Sequence, residues 1–286
     1  MRTLTHKQRV LLNVVERLAE KGKSSRFMLV KTLFLLSVEE NMGRIIKFYN
    51  FFPYKFGPFS NVCYTDLSIL EREGYLSENE KRLALTVKGE EAIKRTDFPV
   101  LSRIKRVTSK FNSDREIREY VYKNYKDYTI KSEIIPHAQI QNVPVGVFTV
   151  GYEGRDIDSF LNILIKNEID LLIDVRKNPF SMNFSFTKEK LKNYLGKTGI
   201  EYLHIPELGI DGELRENLFT INDYQDLFKQ YKATTLVQQH EQVLQIIKLS
   251  EKRRVALMCF EANINMCHRG IIANYIEKQH GAVTHI

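Results

Sequence analysis

The chain has 286 residues, 43% hydrophobic and 27% charged, with a formal net charge of +8. These are the proportions of an ordinary soluble globular protein, and no apolar run approaches the ~18 residues needed to span a bilayer. The first residues lack the apolar core of a secretory leader, and three cysteines are too few, and odd in number, for a disulfide framework. The expectation is a protein of a reducing cytoplasm with no membrane partner.

The charge is uneven. Residues 1–140 hold 26 Lys+Arg against 17 Asp+Glu, and residues 141–286 hold 17 against 18. The basic excess therefore lies wholly in the first half. Phosphate backbones reward such an excess, because bound basic side chains release counterions.

In chain order, Thr5 caps a predicted helix over residues 8–20 whose apolar positions, Val10, Leu11, Val14, Val15 and Leu18, share one face. A second helix follows Ser25, with Phe27, Leu29, Val30, Leu33, Phe34 and Leu36 as its apolar set. Residues 48–60 are aromatic and broken by Pro and Gly, hence extended or looped. Phe48, Phe51, Tyr54, Phe56 and Phe59 could stack on bases, but core packing is the reading preferred for most of them. Ser60 caps a third helix over residues 61–73, and Gly74 suits its C-terminal stop. Two short apolar runs around the charged turn 77–82 follow, and a last helix opens at Lys88-Gly89.

A helix followed by a hairpin with a charged tip resembles the recognition helix and wing of winged-helix regulators. Residues 1–97 are read as such an α+β domain, with Lys81 and Arg82 on the phosphate backbone. Asp66 and Glu71 on the recognition helix would oppose phosphate, which keeps a protein partner open as the alternative. The stretch Tyr49 to Ser60 loosely resembles a segment of antitoxin-associated domains that recognise proteins. Residues 98–145 are read as a basic helical connector. Its Arg103, Lys105 and Arg106 either extend the nucleic-acid footprint or simply solvate a linker helix.

From residue 145 apolar strands and helices alternate, with strands over 145–150, 169–175, 200–205, 254–260 and 282–286. This predicts an α/β domain over 146–286, built on a parallel sheet covered on both faces. The strand C-terminal ends collect Gly151, Tyr152, Glu153 and Gly154, then Asp174 and Arg176, then His204, then Cys259 and Glu261 with Cys267, His268 and Arg269 at the next helix start. In open α/β sheets ligands bind at that edge.

Each group has two readings. Asp174 and Arg176 form either a structural ion pair or part of a site. Cys259 is either a packed thiol or a functional one, and His204 alone is an ordinary core histidine. Cys267 at a helix N-terminus near Arg269 could be a nucleophile. Cys-x7-Cys-His is not a usual zinc spacing, so no metal ligands are assigned; zinc and a Cys259–Cys267 disulfide remain minor alternatives. Arg176 and Arg269 suit an anionic ligand. Glu261, Asp174 and His268 are the general acid–base candidates.

Four motifs carry a resemblance. They are Thr149-Val-Gly-Tyr-Glu-Gly154, Asp174-Val-Arg-x2-Pro179-x-Ser181, Tyr202-x-His204-x-Pro206-x-Leu208-Gly209 and Cys259-x-Glu261-x5-Cys267-His268-Arg269. In this order they resemble the domain-of-unknown-function family 488. The resemblance implies a Rossmann-like sheet over about residues 146–286 and a site at these motifs, but no reaction and no known cofactor.

The combined expectation is a nucleic-acid-associated protein. Its α/β domain would act on or sense a phosphorylated ligand, such as a nucleotide or modified base. The alternatives are a ligand-responsive transcriptional regulator without catalysis, and a protein-interaction module of an antitoxin-like system.

Overall fold

The computed structural model describes residues 3–94, 96–135, 144–215 and 218–286. The chain divides into two compact units, Met1–Ala138 and Gln139–Ile286.

In the first unit, α1 (His6–Ala19) begins at a reciprocal cap, in which Thr5 accepts from the Gln8 amide and the Gln8 side chain accepts from the Thr5 amide. The expected stripe from Val10 to Leu18 is buried. Ser25 caps α2 (Arg26–Val38), which is apolar on nearly every side because it lies inside the unit. The antiparallel pair β1 (Phe52–Tyr54) and β2 (Gly57–Phe59) leads into α3 (Asn61–Arg72), capped by Ser60. Gly74 adopts φ +73, the left-handed conformation a helix stop calls for. The hairpin β3 (Leu76–Asn79) and β4 (Arg82–Leu85) is closed by Glu80-Lys81, and α4 (Val87–Ile93) follows.

Two sequence expectations change here. The connector is not a connector. In α5 (Phe98–Thr108) and α6 (Asp114–Asn124), Val100, Ile104, Val107, Ile117 and Val121 join the same hydrophobic core as α1 and α2. Apolar residues at i, i+4 and i+7 bury one face of α5 whatever charges stand on the other. Pro136, which with Pro144 brackets the approach to the second half in the sequence, lies outside the described residues. The aromatic stretch is core only in part. Phe48 and Phe51 are buried, Tyr54 and Phe59 are half-buried, and Phe56 is exposed.

In the second unit, β5 (Gly146–Gly151), α7 (Ile157–Lys166), β6 (Leu171–Asp174), α8 (Lys188–Thr198) and β7 (Glu201–His204) come first. Next are α9 (Ile221–Ala233), α10 (Thr235–Gln238), α11 (His240–Ser250), β8 (Arg254–Cys259), α12 (His268–His280) and β9 (Val283–His285). The five strands form one sheet in the order β7-β6-β8-β5-β9, and every pairing is parallel. Val147, Leu171, Ile173, Val255 and Leu257 pack with α9, α11 and α12. The alternate residues Val150, Leu172, Ala256 and Met258 are equally buried, so the sheet is covered on both faces. Among the described residues, no helix is long and apolar enough to cross a membrane.

Candidate functional site at the sheet edge

β5 and β8 are neighbours whose onward connections leave in opposite directions. From β5 the chain passes over β8 to β6, and from β8 it passes over β5 to β9. Right-handed crossovers then place α7 and α12 on opposite faces. A crevice opens at such a switch point beyond the strand C-termini. The loops that leave β5 and β8 carry most of the polar residues singled out from the sequence.

These residues do not form one pocket wall. Successive residues on a strand face opposite sides of the sheet, and the site sorts accordingly into two networks and a loop.

The first network is closed. Asp174 is fully buried, and Arg176 is 6% exposed. Arg176 donates from Nε to Asp174 Oδ1 at 2.8 Å, from Nη2 to Asp174 Oδ2 at 2.6 Å and to the Phe186 carbonyl at 3.0 Å, and from Nη1 to the Tyr152 hydroxyl at 2.8 Å. The Tyr152 ring stacks on Phe186 with centroids 4.2 Å apart. Tyr202 donates to Asp174 at 2.8 Å, and His204 Nε2 donates to the Arg176 carbonyl at 2.9 Å. Burial opposes the charge on Arg176, but the Asp174 carboxylate outweighs it and holds the guanidinium above its ordinary value. Of the two readings of Asp174 and Arg176, the geometry is that of the ion pair. The guanidinium faces protein acceptors, not the crevice.

The second network gathers Cys259, Glu261, Cys267 and His268. Both thiols are free, and they and His268 are nearly inaccessible. One ligand atom from each of Cys259, Cys267 and His268 lies within 4.8 Å of the others. His268 Nε2 donates to the Val175 carbonyl at 2.9 Å, so its Nδ1 is the nitrogen that faces Cys259 Sγ, 3.8 Å away. Cys259 Sγ lies 3.2 Å from Glu261 Oε2. Arg215 closes the group, donating from Nη1 to Glu261 Oε1 at 2.6 Å and from Nη2 to His268 Nδ1 at 2.9 Å. Glu261 and Arg215 are the partly open members, with side chains 17% and 32% exposed.

The electrostatics follow from that packing. A hydrogen bond from Cys267 pulls the Cys259 thiol down to about 5; burial opposes this and His268 assists it. Burial and the adjacent Cys259 push Cys267 up. Burial raises Glu261, but a hydrogen bond from Cys267 and the charge of Arg215 overcome it and hold the carboxyl at about 2.

The loop after β8 binds these parts together. It runs so close over β5 that a Cβ on Gly151 would lie 2.0 Å from the Glu261 carbonyl oxygen. The amides of Tyr152 and Glu153 donate to the Phe260 carbonyl, and Glu153 Oε2 accepts from the Ala262 amide at 2.9 Å. Gly154 turns the chain at φ +73. Arg269, in the first turn of α12, is 2% exposed and donates to the carbonyls of Glu261 and Ala262. Its Nε is buried and meets no acceptor among the described residues, and the same holds for Arg155 Nη1. Arg155 follows Gly154 directly. Burial first, and then the charge of Arg269, lower its proton affinity.

Residues 156–276 match the model of the family described as Domain of unknown function DUF488. The second unit contains a DUF488 domain. No curated protein and no solved structure matches the chain. The DUF488 match takes in Asp174, Arg176, His204 and the whole run from Cys259 to Arg269, while Gly151–Gly154 and Arg155 stand just before it. Within the DUF488 domain the sequence reading missed Tyr202 as a partner of Asp174 and Arg215 as a partner of Glu261. Arg155 was within reach of that reading, since it too leaves a strand C-terminus. Arg215 was not, because it sits in a short 3-10 turn, Gly212–Arg215, with no apolar period around it.

The nucleic-acid candidates of the first unit are placed unevenly. Lys81, Arg82 and Lys105 are exposed. Arg103 and Arg106 are paired with Glu40, and Arg106 Nη2 lies 2.6 Å from its carboxylate. Asp66 points inward, accepting from Gln8 at 2.8 Å and from Tyr49 at 3.0 Å, so it does not face an incoming phosphate. Glu71 lies 3.5 Å from Arg26.

Proposed function

We propose that this is a nucleic-acid-associated protein whose DUF488 domain binds and acts on a phosphorylated ligand of the nucleotide or modified-base class. The observation that carries the reading is the pair Arg155 and Arg269. Two guanidiniums close enough to repel stand at the sheet's switch point, each with a buried nitrogen that meets no acceptor among the described residues. Buried donors are normally satisfied, and a phosphate oxyanion is the acceptor that both charges favour. Arg269 also lies at the start of α12, where the helix dipole adds to the attraction.

In this reading Arg155 and Arg269 hold the anion, and Arg176 serves as scaffold. Glu261 faces both parts of the site, because its carbonyl accepts from Arg269 while its carboxylate lies in the thiol group. It is therefore the proton carrier that a bound ligand meets.

The first unit supplies the nucleic-acid contact. Three helices and a hairpin ending in Lys81 support a winged-helix reading, and the outer face of α3 offers Thr65, Ser68 and Arg72. The inward turn of Asp66 removes one objection to a nucleic-acid partner.

Calorimetric titration of the full chain with a nucleoside 5′-monophosphate tests the site. Binding should weaken at least tenfold in Arg155→Ala and stay within twofold in Lys177→Ala, an exposed change beside Arg176. Equal affinities in wild type and Arg155→Ala would remove the anion assignment.

A further inference from the structure

The second network has no role yet as a unit. Two thiols, an imidazole and a carboxylate converge in the interior, and packing alone does not call for that combination. We propose that Cys259, Cys267 and His268 bind one zinc-type divalent ion, with its fourth position open beside Glu261. Use of the ion in turnover rests on the reading of the DUF488 domain as a catalytic site; binding of the ion does not.

Four observations converge on this assignment. The three ligand atoms lie within 4.8 Å of one another, and the Cys259 Sγ–His268 Nδ1 distance is 3.8 Å. A tetrahedral centre with bonds of about 2.1–2.3 Å needs neighbouring ligand atoms roughly 3.5–3.8 Å apart, so a small contraction completes it. The imidazole is already oriented. Its Nε2 proton is committed to the Val175 carbonyl, which leaves Nδ1 unprotonated, 3.8 Å from Cys259 Sγ and accepting from Arg215. Metal-ligating histidines are commonly held by such an outer hydrogen bond.

The donor set also selects the ion. Two sulfurs and an imidazole favour zinc and related transition ions over magnesium or calcium. Finally, the group already demands a cation. Arg215 inserts its guanidinium between Glu261 and His268 Nδ1, so a positive charge sits where the open coordination position would face. When the ion binds, Arg215 keeps Glu261 as its partner and gives up Nδ1.

The sequence hid this because Cys-x7-Cys-His is not a familiar spacing. The loop over Gly151 folds back far enough to bring Cys267 and His268 beside the end of the strand that carries Cys259.

The placement of Glu261 gives the ion a use. A carboxylate that is not a ligand, next to the open position, is how zinc hydrolases move the proton of bound water. Metal-bound water would pass one proton to the Glu261 carboxylate. The hydroxide would attack the electrophilic atom of a ligand anchored at Arg155 and Arg269, and Glu261 would return the proton to the leaving group. The substrate class is thus a phosphorylated compound with a hydrolysable bond, and water is the co-reactant.

The test uses the full chain freed of metal by chelation under nitrogen and titrated with cobalt(II). One equivalent should bind and give thiolate-to-cobalt charge-transfer absorption, which added zinc abolishes. Cys259→Ser, Cys267→Ser and His268→Gln should each weaken cobalt binding at least tenfold, and Cys63→Ala, in the other unit, should not. Far-UV circular dichroism and a thermal melt separate lost ligands from lost folding. For any variant that unfolds, X-ray absorption of the wild-type cobalt complex must show two sulfurs and one imidazole nitrogen. Glu261→Gln should keep the ion.

No charge-transfer band at tenfold cobalt excess would overturn the proposal. So would a band unchanged in Cys259→Ser, or a Cys259–Cys267 disulfide in protein purified without oxygen. Nucleotide binding through Arg155 without a cobalt site would sink the ion alone. A cobalt site without nucleotide binding would sink the ligand reading alone.

Discussion

Asp174 and Arg176, two positions apart at the end of β6, form a two-pronged ion pair with bonds of 2.8 Å and 2.6 Å. Neither charge is accessible to a ligand. Removing one member leaves the other buried without a partner, which typically costs 3–5 kcal/mol. Asp174→Asn and Arg176→Ala should each destabilise the second unit by roughly that amount, as read by urea denaturation. Neither should change the affinity for a phosphorylated ligand more than twofold under conditions where the unit is still folded. A selective loss of ligand affinity at unchanged stability would return Arg176 to the binding site.

Gly151 marks where the loop after β8 crosses β5. With a Cβ 2.0 Å from the Glu261 carbonyl oxygen, Gly151→Ala forces the backbone apart. Overpacking of this kind costs about 1–3 kcal/mol or more. The displaced loop carries both Glu261 and the acceptors of Arg269, so phosphate affinity should fall together with the thermal midpoint. Gly154→Ala strains one turn at φ +73 and meets no neighbour, so it should lower stability by about 1 kcal/mol and leave affinity near wild type.

The hairpin tip of the first unit is strained. Glu80 and Lys81 sit at φ 47 and 62, left-handed values that cost side-chain-bearing residues about 1 kcal/mol or more each. Asn-Gly is the pair such a turn prefers. Glu80→Asn with Lys81→Gly should therefore stabilise the unit by roughly 1 kcal/mol. If the hairpin is a nucleic-acid wing, Lys81→Gly alone should weaken binding to duplex DNA and reduce the slope of log affinity against log salt by about one. Arg103→Ala and Arg106→Ala should change that slope less, because both are paired with Glu40. Stabilisation with an unchanged slope would leave the hairpin as a structural turn.

Lys31 gives the first unit a pH dependence. It is buried, donates to the Pro58 carbonyl at 2.8 Å, and burial pulls it from 10.5 to about 7. Between those values the unfolded chain holds a proton that the folded chain does not. Stability therefore rises with pH from about 7 toward 10.5, and below pH 7 the fold carries the full burden of a buried charge. Each pH unit of displacement is worth about 1.4 kcal/mol, so Lys31→Met should stabilise the unit by several kcal/mol at pH 6 and flatten the rise. Urea midpoints at pH 6, 8 and 9.5 measure both effects. An unchanged pH profile in Lys31→Met would place the dependence elsewhere.

Much of this architecture was legible in the residues. The runs Val147–Val150, Leu171–Ile173 and Val255–Cys259 are apolar at all but Thr149, because both faces of a parallel sheet are covered. That same property hid the division of the site, since neighbouring positions at a strand end point to opposite faces. Tyr152, Asp174 and Arg176 could not be separated from Cys259 and His268 by spacing alone. Arg103 and Arg106 were read by their charge, while Val100, Ile104 and Val107 on the same helix carried the information that it packs into the first unit. Arg215 left no signal, because its position depends on a loop whose path only the tertiary fold sets.

The most direct measurement is a crystal structure of the full chain with a nucleoside 5′-monophosphate bound. The expected result is a phosphate within hydrogen-bond distance of Arg155 Nη1 and Arg269 Nε, with the base or sugar on the side of Glu261 and Arg176 still paired with Asp174. A phosphate held by Arg176, or bound away from the β5–β8 edge, would contradict the proposed site.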